Sequence, residues 1–449
     1  MHIPDGYLSP ATCGVMYAAA VPFWATAVAR VKKFIGGRTV PLLAIFSAFS
    51  FTIMMFNVPV PGGTTAHGVG GTFAAIVLGP WAAVLTTSVA LIIQALFFGD
   101  GGITAIGANC INMGILLPFA GYLAYRLIAG RSPTLSQRRV VAAAIGSYIG
   151  ITVAALAVGI ELGIQPHLWS HNGVPDYSPY GFGTAIPAML LAHMLGASFV
   201  EAAITALGLA YLQRAYPEVL LRRKDGASAE AETAPHVRAR PGLVAAAIAA
   251  ATIAAIFIAG IIRSKGSLAD WAGLNWRTVD WSAAGWSVLV SVAVTVVVLP
   301  ILWFVLRSYR SWRTPALIFV GLIIWVPIGL IAPGTAFGEE ASATPAEVQA
   351  ALAAKANGDP SLYNALPDVN RECDCAPRNM DNITFANNTL LAGYEPPWVH
   401  HGDPAWQQNI GYQVAGLGGL GLVAILVFAL VWLVRWLLPQ APPDWRTAE

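Results

Sequence analysis

The most informative property of this 449-residue sequence is how little charge it carries, since only 11% of its residues are Asp, Glu, Lys or Arg. Soluble globular proteins carry about a quarter charged residues, so most of this chain does not face water. The net charge of +2 is too small to indicate nucleic-acid binding. The sequence also lacks the Gly-x-x-x-x-Gly-Lys-Ser/Thr loop of P-loop ATPases, a Gly-x-Ser-x-Gly elbow and a His-Glu-x-x-His helix, so it contains no recognisable catalytic motif.

Two further absences concern cysteines and the N-terminus. The four cysteines show neither zinc-site nor haem-attachment spacing, and we expect Cys13 and Cys110 to act as small buried hydrophobic residues. The opening MHIPDGYLSP lacks the basic region and the apolar region of a signal peptide. We therefore expect Met1 to be the mature N-terminus.

Long apolar runs, in contrast, are abundant. Residues 285–306 contain no charge, and about 20 apolar residues suffice to cross a bilayer. The runs predict an all-α polytopic membrane protein with about eleven helices: 13–31, 40–57, 68–80, 82–98, 103–127, 138–161, 184–213, 243–262, 285–306, 315–333 and 411–437.

The basic connectors predict the topology. They are Arg30–Arg38, Arg126–Arg139, Arg214–Arg240, Arg307–Arg313 and the tail from Arg435. All five fall on one side of the membrane only if 68–98 crosses twice, with the break at Gly79-Pro80. The N-terminus is then outside and the C-terminus cytoplasmic. Basic residues concentrate on the cytoplasmic side of membrane proteins. Three of them, Arg263, Lys265 and Arg277, lie in a predicted outer loop and depart mildly from this rule.

Two polar segments divide the chain. The charged, Ala-rich residues 222–240 indicate a flexible cytoplasmic linker, within a boundary region at 216–242. Residues 334–410 form a long outer loop, in which TPAEVQAALAAK predicts a short helix. Loops of this length are usually functional or disordered.

The second residue of the chain is a histidine, which permits an unusual metal site. A free amine at Met1, the amide of His2 and its imidazole can bind one ion as a tridentate unit with five- and six-membered rings, if the amide loses its proton. Three nitrogens in a plane leave one position open, and a square-planar N4 site suits Ni(II) and Cu(II) and can admit Co(II). The alternative is that His2 is merely an exposed residue.

His67 is the candidate for the fourth ligand. It lies in a Gly- and Pro-rich loop, PVPGGTTAHG, on the same predicted outer side as His2. Irregular backbone near membrane depth is tolerated where it lines a cavity, and it marks binding sites in transporters. A single loop histidine is more often solvated, so the joint placement of the two histidines carries the hypothesis.

Other polar residues in apolar surroundings need partners. Asp100 is a candidate for orienting a metal-binding imidazole, whereas Asn109 and Asn112 favour capping and helix–helix hydrogen bonds. Four further histidines are weaker candidates for metal binding: His167, His171, His400 and His401. His193 and Glu201, on one predicted helix, indicate a polar seam in the bundle.

Three segments carry a family resemblance. The opening MHIPDGYLSP, the loop VPGGTTAHGVGGT at 60–72 and the stretch from LGPWAAVL to QALFFGDGGITAIGANCINMG at 78–114 resemble the CbiM/NikM family. Its members are the substrate-binding (S) components of energy-coupling-factor transporters for cobalt and nickel. The resemblance covers about residues 1–215 and implies a seven-helix bundle with Met1, His2 and His67 as metal ligands. It also implies that Asn57 lines the site.

The resemblance also implies partners: a transmembrane coupling (T) component and two cytoplasmic ATPase subunits, in the inner (plasma) membrane of a prokaryote. No cofactor is expected besides the transported ion. Residues 311–440, a helix–loop–helix with both ends inside, are similar in topology to the accessory subunit CbiN/NikN. Residues 243–310 would then supply two connecting helices.

Three hypotheses stay open at this point. The first is an S component for nickel or cobalt uptake with a fused accessory part. The second is a metal-sensing or structural membrane subunit that binds metal without moving it. The third, an integral-membrane enzyme, has no catalytic constellation to support it. Ligand type does not decide between nickel and cobalt, although a planar N4 site with a deprotonated amide favours nickel.

Overall fold

The apolar runs of the sequence form helices in the computed structural model. It describes residues 1–32, 39–60, 64–221, 281–308, 317, 320–327, 345–359, 362, 375–379, 389–399 and 403–437. The predicted span 243–262 lies outside the described residues, and 315–333 is described only in part. Within the described part, seven helices are long and apolar enough to cross a membrane. An all-α polytopic membrane protein is therefore confirmed.

The elements of the N-terminal half are α1 (Pro10–Lys32), α2 (Thr39–Met54), β1 (Val58–Val60), β2 (Thr64–Ala66), α3 (Gly71–Leu78), α4 (Pro80–Ile93), α5 (Ile106–Asn109), α6 (Leu117–Ala129), α7 (Gln137–Gly163), α8 (Gln165–Leu168), β3 (Ser170–His171), β4 (Val174–Pro175), α9 (Phe182–Ala192), α10 (Ser198–Ala215) and α11 (Pro217–Leu221). The C-terminal half contributes α12 (Trp281–Val305), α13 (Pro345–Ala356) and α14 (Ala405–Leu437). The short helix predicted in the 334–410 loop is confirmed as α13.

In the described part of the chain, three π-helical segments interrupt the long helices, and the apolar pattern of the sequence did not predict them. Gln94–Phe98 extends α4, Cys110–Leu116 joins α5 to α6, and His193–Ala197 joins α9 to α10. Such π segments occur frequently at functional sites, because they re-aim side chains within a helix.

Local chemistry explains where the first helix begins. The Ser9 hydroxyl accepts a hydrogen bond from the Thr12 amide at 3.0 Å, and Pro10 occupies the first helical position. Ser at the N-cap and Pro at the next position are favoured because they satisfy or remove donors that would otherwise be unpaired. Nine residues consequently remain ahead of α1, free to follow a different path.

The predicted break at Gly79-Pro80 is confirmed. Gly79 has φ 98°, and Pro80 starts α4. The eight-residue α3 begins at Gly71, and its second residue, Thr72, lies beside Gly121 of α6 and Gly150 of α7. It ends in a core cluster with Ala129. The chain between α2 and α4 thus runs through the bundle partly as hairpin and loop and partly as helix.

Glycines allow the helices of the N-terminal bundle to approach closely. A Cβ at Gly146 of α7 would lie 2.7 Å from the carbonyl oxygen of Gly121 in α6. Small residues at such crossings are typical of membrane helices, where packing rather than water exclusion drives association.

The C-terminal helix α14 packs on the N-terminal bundle in the same way. A Cβ at Gly419 would overlap the Phe51 ring of α2, and one at Gly416 would lie 3.3 Å from Met55 Cε. The Tyr412 hydroxyl donates to the Met55 carbonyl oxygen at 3.2 Å. The two halves therefore share a core at the end of α2.

A second contact joins the halves at the β3–β4 turn. The amide of Arg378 donates to the Pro175 carbonyl at 3.0 Å, and that of Asn379 donates to the Asp176 carbonyl at 2.8 Å. Cys375, a few residues earlier, is disulfide-bonded. Parts of the 334–410 segment therefore lie against the N-terminal half.

Candidate metal centre

Most of the first nine residues are buried in the bundle, and His2 and Pro4 are half-buried. Ile3 is fully buried, and Met1, Tyr7 and Leu8 are 7%, 1% and 1% exposed. Their side chains belong to the main hydrophobic core. Because these side chains are buried, the polar backbone of the segment is buried with them. Each buried amide and carbonyl of the segment consequently requires a partner.

Asn109 supplies two of these partners. Its Oδ1 accepts from the Ile3 amide at 2.7 Å, and its Nδ2 donates to the Ile3 carbonyl at 3.0 Å. The Gly102 amide donates to the same carbonyl at 2.9 Å. The expectation that Asn109 caps a helix or bonds between helices is corrected here, because its side chain instead holds the backbone next to His2.

Two further contacts hold the N-terminal segment. The Asp5 carboxylate accepts from the Thr104 amide at 2.8 Å. The Ser9 amide donates to Gln165 Oε1 at 3.1 Å. With these bonds the segment is held at several points from Ile3, directly after His2, to Ser9.

His67 follows the β1–β2 hairpin, in which Val58 pairs with Ala66. Beyond it, the fully buried Glu201 accepts from the Val69 amide at 2.6 Å and from the Gly70 amide at 2.9 Å. Gly70 has φ 74°, which glycine adopts readily. Glu201 thus holds the His67 loop inside the bundle, a role that its position in the sequence did not indicate.

The two imidazoles meet at this point. The His2 and His67 ring centroids lie 5.0 Å apart at an interplanar angle of 65°. His67 is 5% exposed, and so is the side chain of His2. Gly101, with φ +85°, makes room, because a Cβ there would lie 2.8 Å from His2 Nδ1.

Hydrogen bonding favours an open nitrogen on each ring. His67 Nδ1 lies 3.0 Å from the Gly68 carbonyl, which can only accept, so Nδ1 carries the proton and Nε2 keeps its lone pair. His2 Nε2 is buried without a hydrogen-bond partner in the protein. The chelate expected from the sequence would use the other ring nitrogen of His2, because its six-membered ring closes through Nδ1.

Burial keeps both rings neutral. Desolvation, followed by the charge of the α-amino group, lowers the pKa of His2 to about 3. Desolvation, followed by the charges of His2 and of the α-amino group, lowers the pKa of His67 well below its usual value. Neutral imidazole is the form that binds metal ions.

The side-chain donors brought together here are the two imidazoles. Among the residues that the structure describes, no three His, Cys, Asp or Glu side chains form a metal cluster. A four-ligand site at this position would need main-chain nitrogens beside the two imidazoles. The α-amino group and the His2 amide are the groups available for that, in keeping with the chelate expected from the sequence.

Asp100 lies beside His2, with Oδ1 at 3.4 Å from His2 Nδ1. Its other oxygen accepts from Gln94 Nε2 at 3.1 Å and from the Tyr394 hydroxyl at 2.5 Å. Asn57 is half-buried between α2 and β1 and donates its amide to Met55 at 3.1 Å. The roles assigned to Met1, His2, His67, Asp100 and Asn57 stay predictions.

The remaining histidines are placed elsewhere. His167 stacks on Phe182 with ring centroids 5.1 Å apart. His171 Nδ1 bonds Asp176 at 2.6 Å. His193 Nδ1 donates to the Met189 carbonyl at 2.7 Å, while His400 and His401 lie outside the described residues. Asn112 forms the predicted helix–helix bond, donating to Glu161 at 2.8 Å.

Fold and site together define a multi-pass membrane protein with two adjacent imidazoles buried by its own N-terminal segment. A family model described as the cobalt uptake substrate-specific transmembrane region, CbiM, matches residues 2–219. The chain belongs to the CbiM family, and the resemblance seen in the sequence is confirmed.

Two curated relatives are fusions. The fused nickel transport protein NikMN of Rhodobacter capsulatus is 50% identical over 51% of this chain and 67% of its own length. A probable fused nickel transport protein, LarMN, of Lactiplantibacillus plantarum is 51% identical over 48% of this chain and 66% of its own. The chain thus spans about two thirds of these relatives. A solved truncated transition metal transporter is 56% identical over 47% of this chain and 98% of its own, with a TM-score of 0.45.

Proposed function

We propose that this chain is the substrate-capturing membrane subunit of an ATP-driven energy-coupling-factor transporter for Ni(II) or Co(II). The ion is bound by the Met1 amine, the His2 amide and imidazole, and the His67 imidazole. The observation that carries the proposal is the burial of the His2 imidazole, next to the N-terminus, with its ring centroid 5.0 Å from that of the buried His67.

The chemistry of this donor set favours nickel. A deprotonated amide and an amine in one plane with two imidazoles form a strong-field square-planar site, which Ni(II) adopts more readily than Co(II). Binding releases protons from the amine and the amide. The carboxylate of Asp100 beside His2 offsets part of the charge of the bound ion.

The energy for transport has to come from elsewhere, because the sequence contains no nucleotide-binding loop. We therefore expect a transmembrane T component and two cytoplasmic ATPase subunits as partners, in the inner membrane of a prokaryote. The N-terminus lies outside and the C-terminus inside. Residues 1–215 are the S component, and residues 311–440 are the accessory part.

The test compares wild-type protein with His2→Ala, His67→Ala and a variant extended by a few residues before Met1. Purified protein is titrated with Ni(II) against a chelator, and radiolabelled nickel uptake is measured in cells with and without the ATPase subunits. Each variant should lose more than the roughly 10- to 100-fold in affinity that outer-shell changes cost. His167→Ala, which removes an exposed imidazole, is the matched control.

Normal nickel binding by the extended protein would refute the chelate. Binding without uptake in cells that contain the ATPases would instead support a subunit that senses or holds metal without translocating it.

A further inference from the structure

A tyrosine of the C-terminal half lies within the N-terminal half, next to the candidate metal centre. Tyr394 is 5% exposed, and its ring stacks on Phe98 with centroids 4.8 Å apart and an interplanar angle of 27°. The Leu391 amide donates to the Phe97 carbonyl at 2.8 Å. Residues 389–399 are thus attached by backbone and side chain to the π-helical end of α4.

The Tyr394 hydroxyl is part of a three-membered polar network. It donates to Asp100 Oδ2 at 2.5 Å and accepts from Gln94 Nε2 at 2.8 Å. Gln94 Nε2 also lies 3.1 Å from the same carboxylate oxygen. Two donors therefore occupy Oδ2, and this leaves Oδ1 directed at His2 Nδ1, 3.4 Å away.

The backbone of Tyr394 supports a specific role. Its φ is +62°, a left-handed conformation that bulky residues rarely adopt. Such conformations persist only where the surroundings over-determine them, and they concentrate at ligand sites and switches. Here the stacked ring and the hydroxyl network hold the residue in place.

We propose that Tyr394 is a positioning residue for the metal centre, whose hydroxyl fixes the Asp100 carboxylate against the His2 imidazole. The C-terminal half thereby contributes to a site built by residues almost 300 positions earlier. The inference rests on the proposed function, because it assigns Tyr394 to the same metal site.

The physical effect follows from the geometry of the carboxylate. A carboxylate that accepts two hydrogen bonds on one oxygen loses its rotational freedom, so the other oxygen keeps one distance and direction from His2. In the proposed chelate the six-membered ring closes through His2 Nδ1, so Asp100 Oδ1 lies beside the position of the ion and holds a negative charge there. Losing a hydrogen-bond partner that orients a group around a metal costs about 10- to 100-fold in metal affinity. Replacing Tyr394 with Phe keeps the stacked ring and removes only the donor.

The experiment uses the full chain purified in detergent, with Ni(II) alone as the probe. Tyr394→Phe is compared with Tyr412→Phe, because Tyr412 is also buried, packs 5.3 Å from Tyr394 and donates to the Met55 backbone instead of to Asp100. We expect Tyr394→Phe to weaken Ni(II) binding about 10-fold and Tyr412→Phe to leave it near the wild-type value. Both should melt at similar temperatures.

Two readouts separate positioning from a general loss of structure. The visible absorption bands of the saturated protein should shift in Tyr394→Phe, whereas partial unfolding would lower their intensity at saturation without moving them. In an Asp100→Asn background, Tyr394→Phe should have little additional effect, since residues that act through one another are not additive.

The outcomes keep the two proposals apart. If His2→Ala abolishes Ni(II) binding and Tyr394→Phe behaves like Tyr412→Phe, the inference about Tyr394 is wrong and the proposed function stands. If His2→Ala leaves Ni(II) binding unchanged, the proposed function fails and the inference fails with it.

Discussion

Replacing Gly101 with alanine provides a sharp test of how tightly the metal centre is packed. The new Cβ would lie 2.8 Å from His2 Nδ1 and 3.1 Å from Asn109 Nδ2. Ordinary van der Waals contact begins at 3.4 Å, so His2 has to move by 3.4 − 2.8 = 0.6 Å or more. The side chains that form a binding site tolerate displacements of only about 0.5 Å before binding weakens.

A matched control exists because Gly173 also has a positive φ, +80° against +85° for Gly101, but a Cβ at Gly173 would meet nothing within 4 Å. Alanine at either position carries a left-handed backbone strain of roughly 1–2 kcal/mol. Only Gly101→Ala additionally displaces His2. The difference between the two variants therefore isolates the displacement from the strain.

We expect Gly101→Ala to bind Ni(II) about 10-fold more weakly than Gly173→Ala, a difference of about 1.4 kcal/mol. The assay is Ni(II) titration against a competing chelator, with thermal unfolding of both apo-proteins as the control for folding. Equal affinities in the two variants, with binding that still depends on His2, would refute the proposed packing of the imidazole against Gly101.

Two further predictions concern the side chains that hold the two ligand segments. Asn109→Leu removes both the acceptor of the buried Ile3 amide and the donor to the Ile3 carbonyl, and leaving a buried group unsatisfied costs about 1–3 kcal/mol. The variant should therefore melt below the wild-type protein, and equal melting temperatures would contradict the role of Asn109 in holding Ile3. Glu201→Leu removes the acceptors that hold the His67 loop, whereas Glu201→Gln keeps one oxygen acceptor. Nickel affinity should therefore be highest in the wild-type protein, lower in Glu201→Gln and lowest in Glu201→Leu. Nickel titration of the three proteins tests this order, and any other order would contradict the role of Glu201.

Much of the architecture is a consequence of local sequence. Apolar runs predict the membrane helices because backbone groups in hydrocarbon must be paired within the segment, and most of the observed helices begin and end within a few residues of the predicted ones. Gly79-Pro80 marks a helix boundary by its own backbone chemistry. The fold class was therefore predictable without any tertiary information.

The composition of the candidate site was also predictable. A histidine at the second position and another in a Gly- and Pro-rich loop indicate a nitrogen-rich metal site by their chemistry alone, and the structure places the two rings 5.0 Å apart. Asp100 was singled out as a polar residue at a helix end, and it lies beside His2. These residues carried a signal because polar groups are costly in apolar surroundings.

The sequence by itself thus determined which segments are helical and which side chains have the chemistry to bind an ion. Only the tertiary structure decided how those side chains are held. Asn109 is hydrogen-bonded to Ile3, 106 positions away in the sequence. Glu201 is hydrogen-bonded to Val69 in the His67 loop over 132 positions, and Tyr394 to Asp100 over 294 positions. Hydrogen bonds over such separations depend on how the helices pack, which no local pattern of residues records.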